Sequence, residues 1–117
     1  MQTQRLSSHD ITQGLRALDG WTLDAHKASI RKAWVFDSFR TAMQFFAAVG
    51  ELAEVMDHHP EFLSSYTKMR IRLTTHDAYG LTHQDFALAK QIDQMTKAEP
   101  FCTPQHTRLI EAPDLNS

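Results

Sequence analysis

Three histidines stand where two predicted secondary-structure elements end. His58 and His59 follow a long amphipathic helix pattern and precede Pro60, and His76 follows a strand pattern. Histidine is the side chain whose unperturbed pKa lies nearest neutrality, so it gives or takes a proton readily. Because element ends present side chains to clefts, the three imidazoles predict either a proton-transfer site or a metal site.

Zinc binding is the first alternative, since three imidazoles and a water form a known catalytic arrangement. Adjacent histidines on one backbone point in different directions, however, which makes joint ligation by His58 and His59 awkward. Zinc motifs on helices instead place two histidines four residues apart. Nucleophilic catalysis is favoured less, because Cys102 lies in a proline-rich C-terminal stretch and no serine stands in a strained turn.

Two acidic residues near these histidines also have ordinary structural interpretations. Glu54 lies one helical turn before His58 and could form only an exposed i, i+4 pair. Asp85 is the third helical residue of a capping-box pattern that starts at Thr82, so it could serve only to cap a helix. The residues alone leave these alternatives open.

Hydrophobic periodicity predicts the elements that position these residues. They are a helix from Ser7 or Ser8 to Leu18, a hairpin with strands at Trp21–Leu23 and Ile30–Phe36, a helix over 39–56, an extended segment at Glu61–Tyr66, a strand at Met69–Leu73, a turn at Gly80 and a helix from Thr82 to Met95. This order, α-β-β-α-β-β-α, predicts an α+β fold whose antiparallel sheet is covered by helices on one face.

Three finer predictions follow from the same patterns. The long helix should bury one stripe, formed by Phe39, Ala42, Met43, Phe46, Val49, Leu52 (or Ala53) and Met56. The polar face of the last strand carries Lys68, Arg70 and Arg72, which predicts a solvated sheet face or, alternatively, a surface for an anion or a partner. Gly80 suggests a turn that needs a positive φ.

Composition predicts one soluble domain. The sequence has 117 residues, a formal net charge of −2 and a single cysteine, so it has no internal disulfide and no charge bias toward nucleic acid or an anionic membrane. No apolar run reaches the ~20 residues of a membrane helix, and the N-terminus lacks an apolar signal core. We expect a cytoplasmic protein with a domain over residues 1–97 and an irregular C-terminal tail over 98–117.

The motif Glu54-x-x-x-His58-His59-Pro60 is followed by Tyr66, by Thr75-His76, and by Gly80-Leu81-x-x-x-Asp85-x-x-Leu88-Ala89. This series closely resembles the pterin-4a-carbinolamine dehydratase family. The likeness extends from about Leu6 to Met95, and it includes Gly20-Trp21 and Phe36-x-x-Phe39.

The resemblance implies a four-stranded antiparallel sheet with three helices on one face. It also implies removal of water from a 4a-hydroxy-tetrahydropterin to give the quinonoid dihydropterin, without metal or organic cofactor, in support of aromatic amino acid hydroxylation. The implied catalytic residues are His58, His59, His76 and Asp85, with Asp85 steadying His76 and Glu54 orienting a histidine. The implied substrate contacts are Asp57, His58, His59, Pro60, Thr74, Thr75, His76 and Asp77.

The resemblance also carries a departure and an alternative function. Phe62 stands where family members often have tryptophan, which bears on the shape of the pocket. The family forms homodimers and homotetramers, and its animal members also bind a transcription factor through a helical surface. The chain could therefore act as a non-catalytic interaction module, although its complete histidine set favours the enzyme.

Overall fold

Three helices and four strands make up the described part of the chain. The computed structural model describes residues 4–24, 26, 28–98 and 101. The elements are α1 (Ser8–Arg16), β1 (Thr22–Asp24), β2 (Ser29–Val35), α2 (Phe39–Met56), β3 (Glu61–Ser65), β4 (Lys68–Leu73), a short 3-10 turn (His76–Ala78) and α3 (His83–Met95). The antiparallel strands lie in the order β1-β2-β4-β3. The predicted α+β fold and element order are confirmed.

Side-chain alternation on the two central strands separates a buried face from an outer face. Trp34 of β2 lies opposite Met69 of β4, and Ile30 lies opposite Leu73. All four side chains are buried, and they form the core with apolar residues of the helices. The helices therefore pack on one face of the sheet. The residues that alternate with the buried ones along β2 and β4 form the outer face.

The buried stripe of α2 contains Phe45, whereas the sequence predicted Phe39 and Phe46. Phe45 is fully buried and its ring centroid lies 4.8 Å from that of Trp34. Phe39 and Phe46 are 50% and 43% exposed, so placing them in the core was wrong. Neighbouring helix positions are ~100° apart, and apolar residues recur at i+3/i+4 spacing from either phenylalanine. Periodicity alone therefore did not decide whether Phe45 or Phe46 faces the core.

The outer sheet face is basic but not uniformly solvated. Arg31 of β2 lies opposite Arg72 of β4, and Arg70 lies opposite Ala33. Arg70 is 8% exposed, so the prediction of a solvated ladder was wrong at this residue. Burial, and then the charges of Arg72 and Arg31, lower the pKa of Arg70.

The start of the predicted tail contacts the core. Phe101 is buried, and its ring lies 5.7 Å from that of Phe45 and 6.3 Å from that of Phe36, centroid to centroid. Residues 99–100 and 102–117 fall outside the described part, so the irregular tail stays a prediction. Among the described residues, no helix combines the length and apolarity needed to cross a membrane.

Candidate active site

The end of α2 fixes the direction of the two adjacent histidines. Asp57 takes the left-handed conformation (φ 52°, ψ 45°), and the backbone N–H of His58 donates to the Ala53 carbonyl at 3.0 Å. This hydrogen bond and the 3.2 Å bond from the Asp57 N–H to the Glu54 carbonyl form a Schellman motif. The chain turns sharply there, and the two imidazoles leave the backbone toward different surroundings.

His58 turns inward and meets the first turn of α3. Its Nε2 lies 2.6 Å from Oδ1 of Asp85, and the two residues are 8% and 0% exposed. The other carboxylate oxygen of Asp85 accepts hydrogen bonds from the Thr82 N–H at 2.9 Å and from the Thr75 hydroxyl at 2.8 Å. Asp85 therefore closes the predicted capping box and also binds an imidazole.

His59 turns outward and meets its own helix. Its Nε2 lies 2.6 Å from Oε2 of Glu54, in a pair whose side chains are 58% and 73% exposed. Glu54 thus pairs with the histidine five residues later, not with His58 at i+4. The Schellman turn explains this, because it removes His58 from the helical course.

His76 lies in a short loop whose ends are bonded to each other. The Thr75 N–H donates to the Gly80 carbonyl at 3.1 Å, and the Gly80 N–H donates to the Thr75 carbonyl at 3.3 Å. The positive φ expected at Gly80 falls instead on Tyr79 (φ 57°). A Cβ at Gly80 would lie 2.6 Å from Cδ of Arg5, an exposed and flexible side chain that can move aside, so the structure gives no strict requirement for glycine there.

The three histidines line one cleft of about 270 Å3. The cleft is formed by Asp57, His58, His59, Thr74, Thr75, His76, Asp77 and Gln84. The structure therefore brings together seven of the residues that the sequence predicted for the site. Of the remaining three, Pro60 does not line this cleft, and Asp85 and Glu54 contact histidines that do.

Asp85 does not contact the histidine that was predicted. It was expected to steady His76, but its bonds go to His58, Thr75 and Thr82. The distance between the end of α2 and the start of α3 is a tertiary feature, which sequence spacing did not reveal. Among the described residues, His76 has no side-chain hydrogen bond, and no group of three or more His, Cys, Asp or Glu residues is placed to hold a metal ion.

Sequence reasoning also missed three residues around the site. Gln84 lines the main cleft one position before Asp85, so the capping box that identified Asp85 could have indicated it. Glu61 and Arg72 line an adjoining cleft of about 170 Å3 together with His59, Thr74 and His76. Only the pairing of β3 with β4, which sets Glu61 opposite Arg72, places these two beside the histidines.

Comparisons with known proteins identify the family to which this chain is similar. A family model described as Pterin 4 alpha carbinolamine dehydratase matches residues 4–95. A relative in Sinorhizobium fredii, whose name places it provisionally among the pterin-4-alpha-carbinolamine dehydratases, is 40% identical over 80% of this chain and 90% of its own. A similarly named Roseiflexus protein is 44% identical over 78% of this chain and 96% of its own.

A solved structure is also similar to this chain. The crystal structure of a transcriptional coactivator/pterin dehydratase from Brucella melitensis superimposes with a TM-score of 0.76 at 34% identity. The match covers 79% of this chain and 98% of that one. With a family match over residues 4–95 and relatives of about the same length, the chain belongs to the pterin-4a-carbinolamine dehydratase family.

Proposed function

We propose that this protein removes water from a 4a-hydroxy-tetrahydropterin to give the quinonoid dihydropterin, in the recycling of a pterin that serves aromatic amino acid hydroxylation. The observation that carries the proposal is the cleft in which His58, His59 and His76 meet. Family membership supplies the class of substrate. In the reaction, the C4a–O bond breaks, the N5–H proton leaves, a C4a=N5 double bond forms and one water is released.

His58 is suited to take the proton from N5. An ionised carboxylate only accepts hydrogen bonds, and Asp85 already accepts them from Thr82 and Thr75. The short contact to Asp85 then assigns the His58 proton to Nε2, which leaves the lone pair on Nδ1 as the base. A buried carboxylate that fixes one tautomer in this way resembles the orienting acid of a catalytic triad in its role.

His59 is suited to protonate the leaving hydroxyl. Its carboxylate partner Glu54 can accept a hydrogen bond from the protonated ring at 2.6 Å. His76, on the facing loop, would hold the pterin and could assist the proton transfer. General acid and general base each contribute about 10²–10⁴-fold, so the two adjacent histidines could supply most of the acceleration.

The test is an absorbance assay on freshly generated 4a-hydroxypterin. The double substitution His58→Ala with His59→Ala should leave little beyond the spontaneous rate. His83→Ala is the matched control, because His83 is exposed and does not line the cleft. Near-normal turnover in the double variant would remove the proposal, as would an equal loss in the control.

An exposed surface on α2 supports a second candidate function, that of a protein-interaction module. Phe39 and Met43 border a shallow cleft of about 460 Å3, and the Phe46 ring is also exposed. The similar Brucella protein is named both as a transcriptional coactivator and as a pterin dehydratase. Absence of any acceleration in the assay, with capture of a defined helical partner that Phe39→Ala abolishes, would favour this function over the enzyme.

We also propose that the protein forms a homodimer or homotetramer. Apolar side chains exposed together often mark a contact between chains, and Phe39 and Phe46, seven residues apart on one side of α2, are both exposed. Light scattering measures the mass directly. A monomer at all concentrations would contradict this proposal without affecting the dehydratase assignment.

A further inference from the structure

A second cleft adjoins the cleft that holds the histidines. It has a volume of about 170 Å3 and is lined by His59, Glu61, Arg72, Thr74 and His76. Three of these residues, His59, Thr74 and His76, also line the main cleft. A molecule whose reacting atoms lie between these imidazoles would therefore extend into the second cleft if it carried a substituent next to those atoms.

The pterin ring carries such a substituent. N5 is bonded to C6, so a group on C6 begins two bonds from the atom that loses its proton. The other end of the heterocycle presents the N3–H and the 2-amino group, which are donors. The main cleft offers two exposed carboxylates, those of Asp57 and Asp77, which are the acceptors that such donors need. The second cleft offers one, that of Glu61, and it is already paired with the guanidinium of Arg72. This orientation directs the C6 substituent toward Arg72 and Glu61.

The polar groups of the second cleft include both a donor and acceptors. Arg72 Nη1 lies 3.3 Å from Glu61 Oε1, with Glu61 mostly exposed. The Thr74 hydroxyl donates to the Ala28 carbonyl at 2.8 Å, so its oxygen can only accept from a ligand. The cleft thus presents one guanidinium and two kinds of acceptor oxygen.

The guanidinium of Arg72 has hydrogen-bonding capacity that the described residues do not use. Its Nε–H is buried and has no acceptor among them. A rotation of the guanidinium toward a ligand oxygen would therefore break no hydrogen bond at Nε. Since a buried donor without a partner is unfavourable, an acceptor brought in by the substrate would improve the environment of Arg72.

We propose that Arg72 and Glu61 form a specificity subsite for a hydroxylated substituent on C6 of the pterin, an inference that rests on the proposed dehydratase function. A hydroxyl both donates and accepts, so it can accept from Arg72 and donate to Glu61. An alkyl group offers neither a donor nor an acceptor, so it would gain nothing from these polar groups and would leave the Arg72 Nε–H without an acceptor. An anionic group would meet the Glu61 carboxylate and the acceptor oxygen of Thr74.

The test compares two 4a-hydroxy-tetrahydropterins, one with a 1,2-dihydroxypropyl group on C6 and one with a methyl group. The unmodified protein should turn over the first with a kcat/KM at least tenfold higher. Arg72→Met and Glu61→Met, which remove the donor and the acceptor respectively, should each lower that ratio about tenfold, mainly through KM of the hydroxylated substrate. The kcat/KM for the methyl substrate should change less than twofold in either variant.

Arg31→Met is the matched control, because Arg31 lies opposite Arg72 in the sheet register but does not line the cleft. It should leave the substrate ratio unchanged. Glu61 is mostly exposed, so Glu61→Met should fold even if Arg72→Met does not. A general loss of folding would lower the measured rates with both substrates by the same factor. Loss of the subsite should instead change the ratio of the two kcat/KM values.

Three outcomes would overturn the subsite. An unmodified protein that does not discriminate between the substrates would exclude it while leaving the dehydratase function intact. A phosphorylated C6 substituent preferred to the dihydroxypropyl group would exclude it in favour of an anion site. No acceleration of any substrate would overturn the proposed function, and the subsite with it.

Discussion

The Asp85 carboxylate joins His58 at 2.6 Å, so the first turn of α3 is linked directly to the residue that follows the turn at the end of α2. Because Asp85 also caps α3 and accepts from Thr75, two residues after β4, one fully buried side chain connects α3 with the segments that follow α2 and β4. The catalytic geometry and local stability should therefore depend on the same carboxylate.

Asp85→Asn should reduce kcat by about 10²-fold or more, because the neutral amide no longer provides two acceptor oxygens. If its NH₂ group faces His58, the imidazole must carry its proton on Nδ1, which removes the proposed base. If it faces the Thr82 N–H and the Thr75 hydroxyl, the hydrogen bonds from both donors are lost. The free energy of unfolding should fall by ~1–3 kcal/mol. The assay is steady-state turnover with urea unfolding in parallel, and a ¹⁵N spectrum of His58 should report the altered tautomer.

Thr75→Val provides the graded comparison for this prediction. It removes one donor to Asp85 but keeps the shape of the side chain and the His58 contact. Its loss in kcat should be smaller than that of Asp85→Asn. Unchanged kcat and unchanged tautomer in Asp85→Asn would show that the carboxylate acts only as a helix cap.

Glu54→Gln should have a small effect, in contrast to Asp85→Asn. The pair of Glu54 with His59 is largely exposed, and exposed ion pairs contribute only ~0–1 kcal/mol. A glutamine can still accept a hydrogen bond from the ring, so kcat should fall less than about tenfold. A loss as large as that of Asp85→Asn would mean that the charge of Glu54 itself is needed for proton transfer.

The positions of the three histidines at the ends of secondary-structure elements could be predicted from sequence, because local patterns determine where those elements end. Pro60 and the end of the helical periodicity placed His58 and His59 at an element end, and the strand alternation did the same for His76. The partner of each histidine was decided by tertiary packing. Asp85 was expected to support His76 but meets His58, because the Schellman turn directs His58 toward the start of α3.

The core shows the same division between local and tertiary information. The bounds 39–56 of α2 follow from the Ser38 cap and from the periodic pattern, and the structure has the same bounds. Which of two neighbouring phenylalanines faces the sheet depended on Trp34, and the burial of Arg70 depended on the sheet pairing. Neither relationship is present in the spacing along one element.

The two phenylalanines offer a direct test of the observed core face. Phe45→Ala should lower the free energy of unfolding by ~3–5 kcal/mol, because Phe45 is fully buried between Trp34 and Phe36. Phe46→Ala should cost clearly less, since Phe46 is 43% exposed and packs its ring on Phe62. Urea unfolding measures both, and equal losses would contradict the assigned face.

Asp93 should be structural and not catalytic. It accepts hydrogen bonds from the Trp21 indole N–H at 2.9 Å and from Lys32 Nζ at 3.0 Å, and it tethers the Asp19 backbone N–H at 3.2 Å. Asp93→Ala leaves the half-buried Lys32 charge without its carboxylate partner, so the free energy of unfolding should fall by ~3 kcal/mol. At a temperature where the variant is folded, KM and kcat should stay within about twofold of the parent.

Arg70→Met should increase stability. The folded-state pKa of Arg70 is lowered by burial and by the neighbouring charges of Arg72 and Arg31. A base with a lower pKa in the folded state binds its proton less well there, so at neutral pH the protonated guanidinium opposes folding. Methionine keeps the apolar length without the charge, and the gain should be about 1 kcal/mol in urea unfolding at pH 7.

Arg31→Met is the comparison for Arg70→Met, because Arg31 has the carboxylate of Asp24 at 3.5 Å. Removing the Arg31 charge relieves its repulsion of Arg70, but it also breaks the ion pair with Asp24. The net change in the free energy of unfolding should therefore be close to zero. The gain from Arg70→Met should persist at high salt, since burial is the first cause of the lowered pKa and salt screens only the neighbouring charges. A gain that disappeared in salt would assign the effect to the other two guanidinium groups instead.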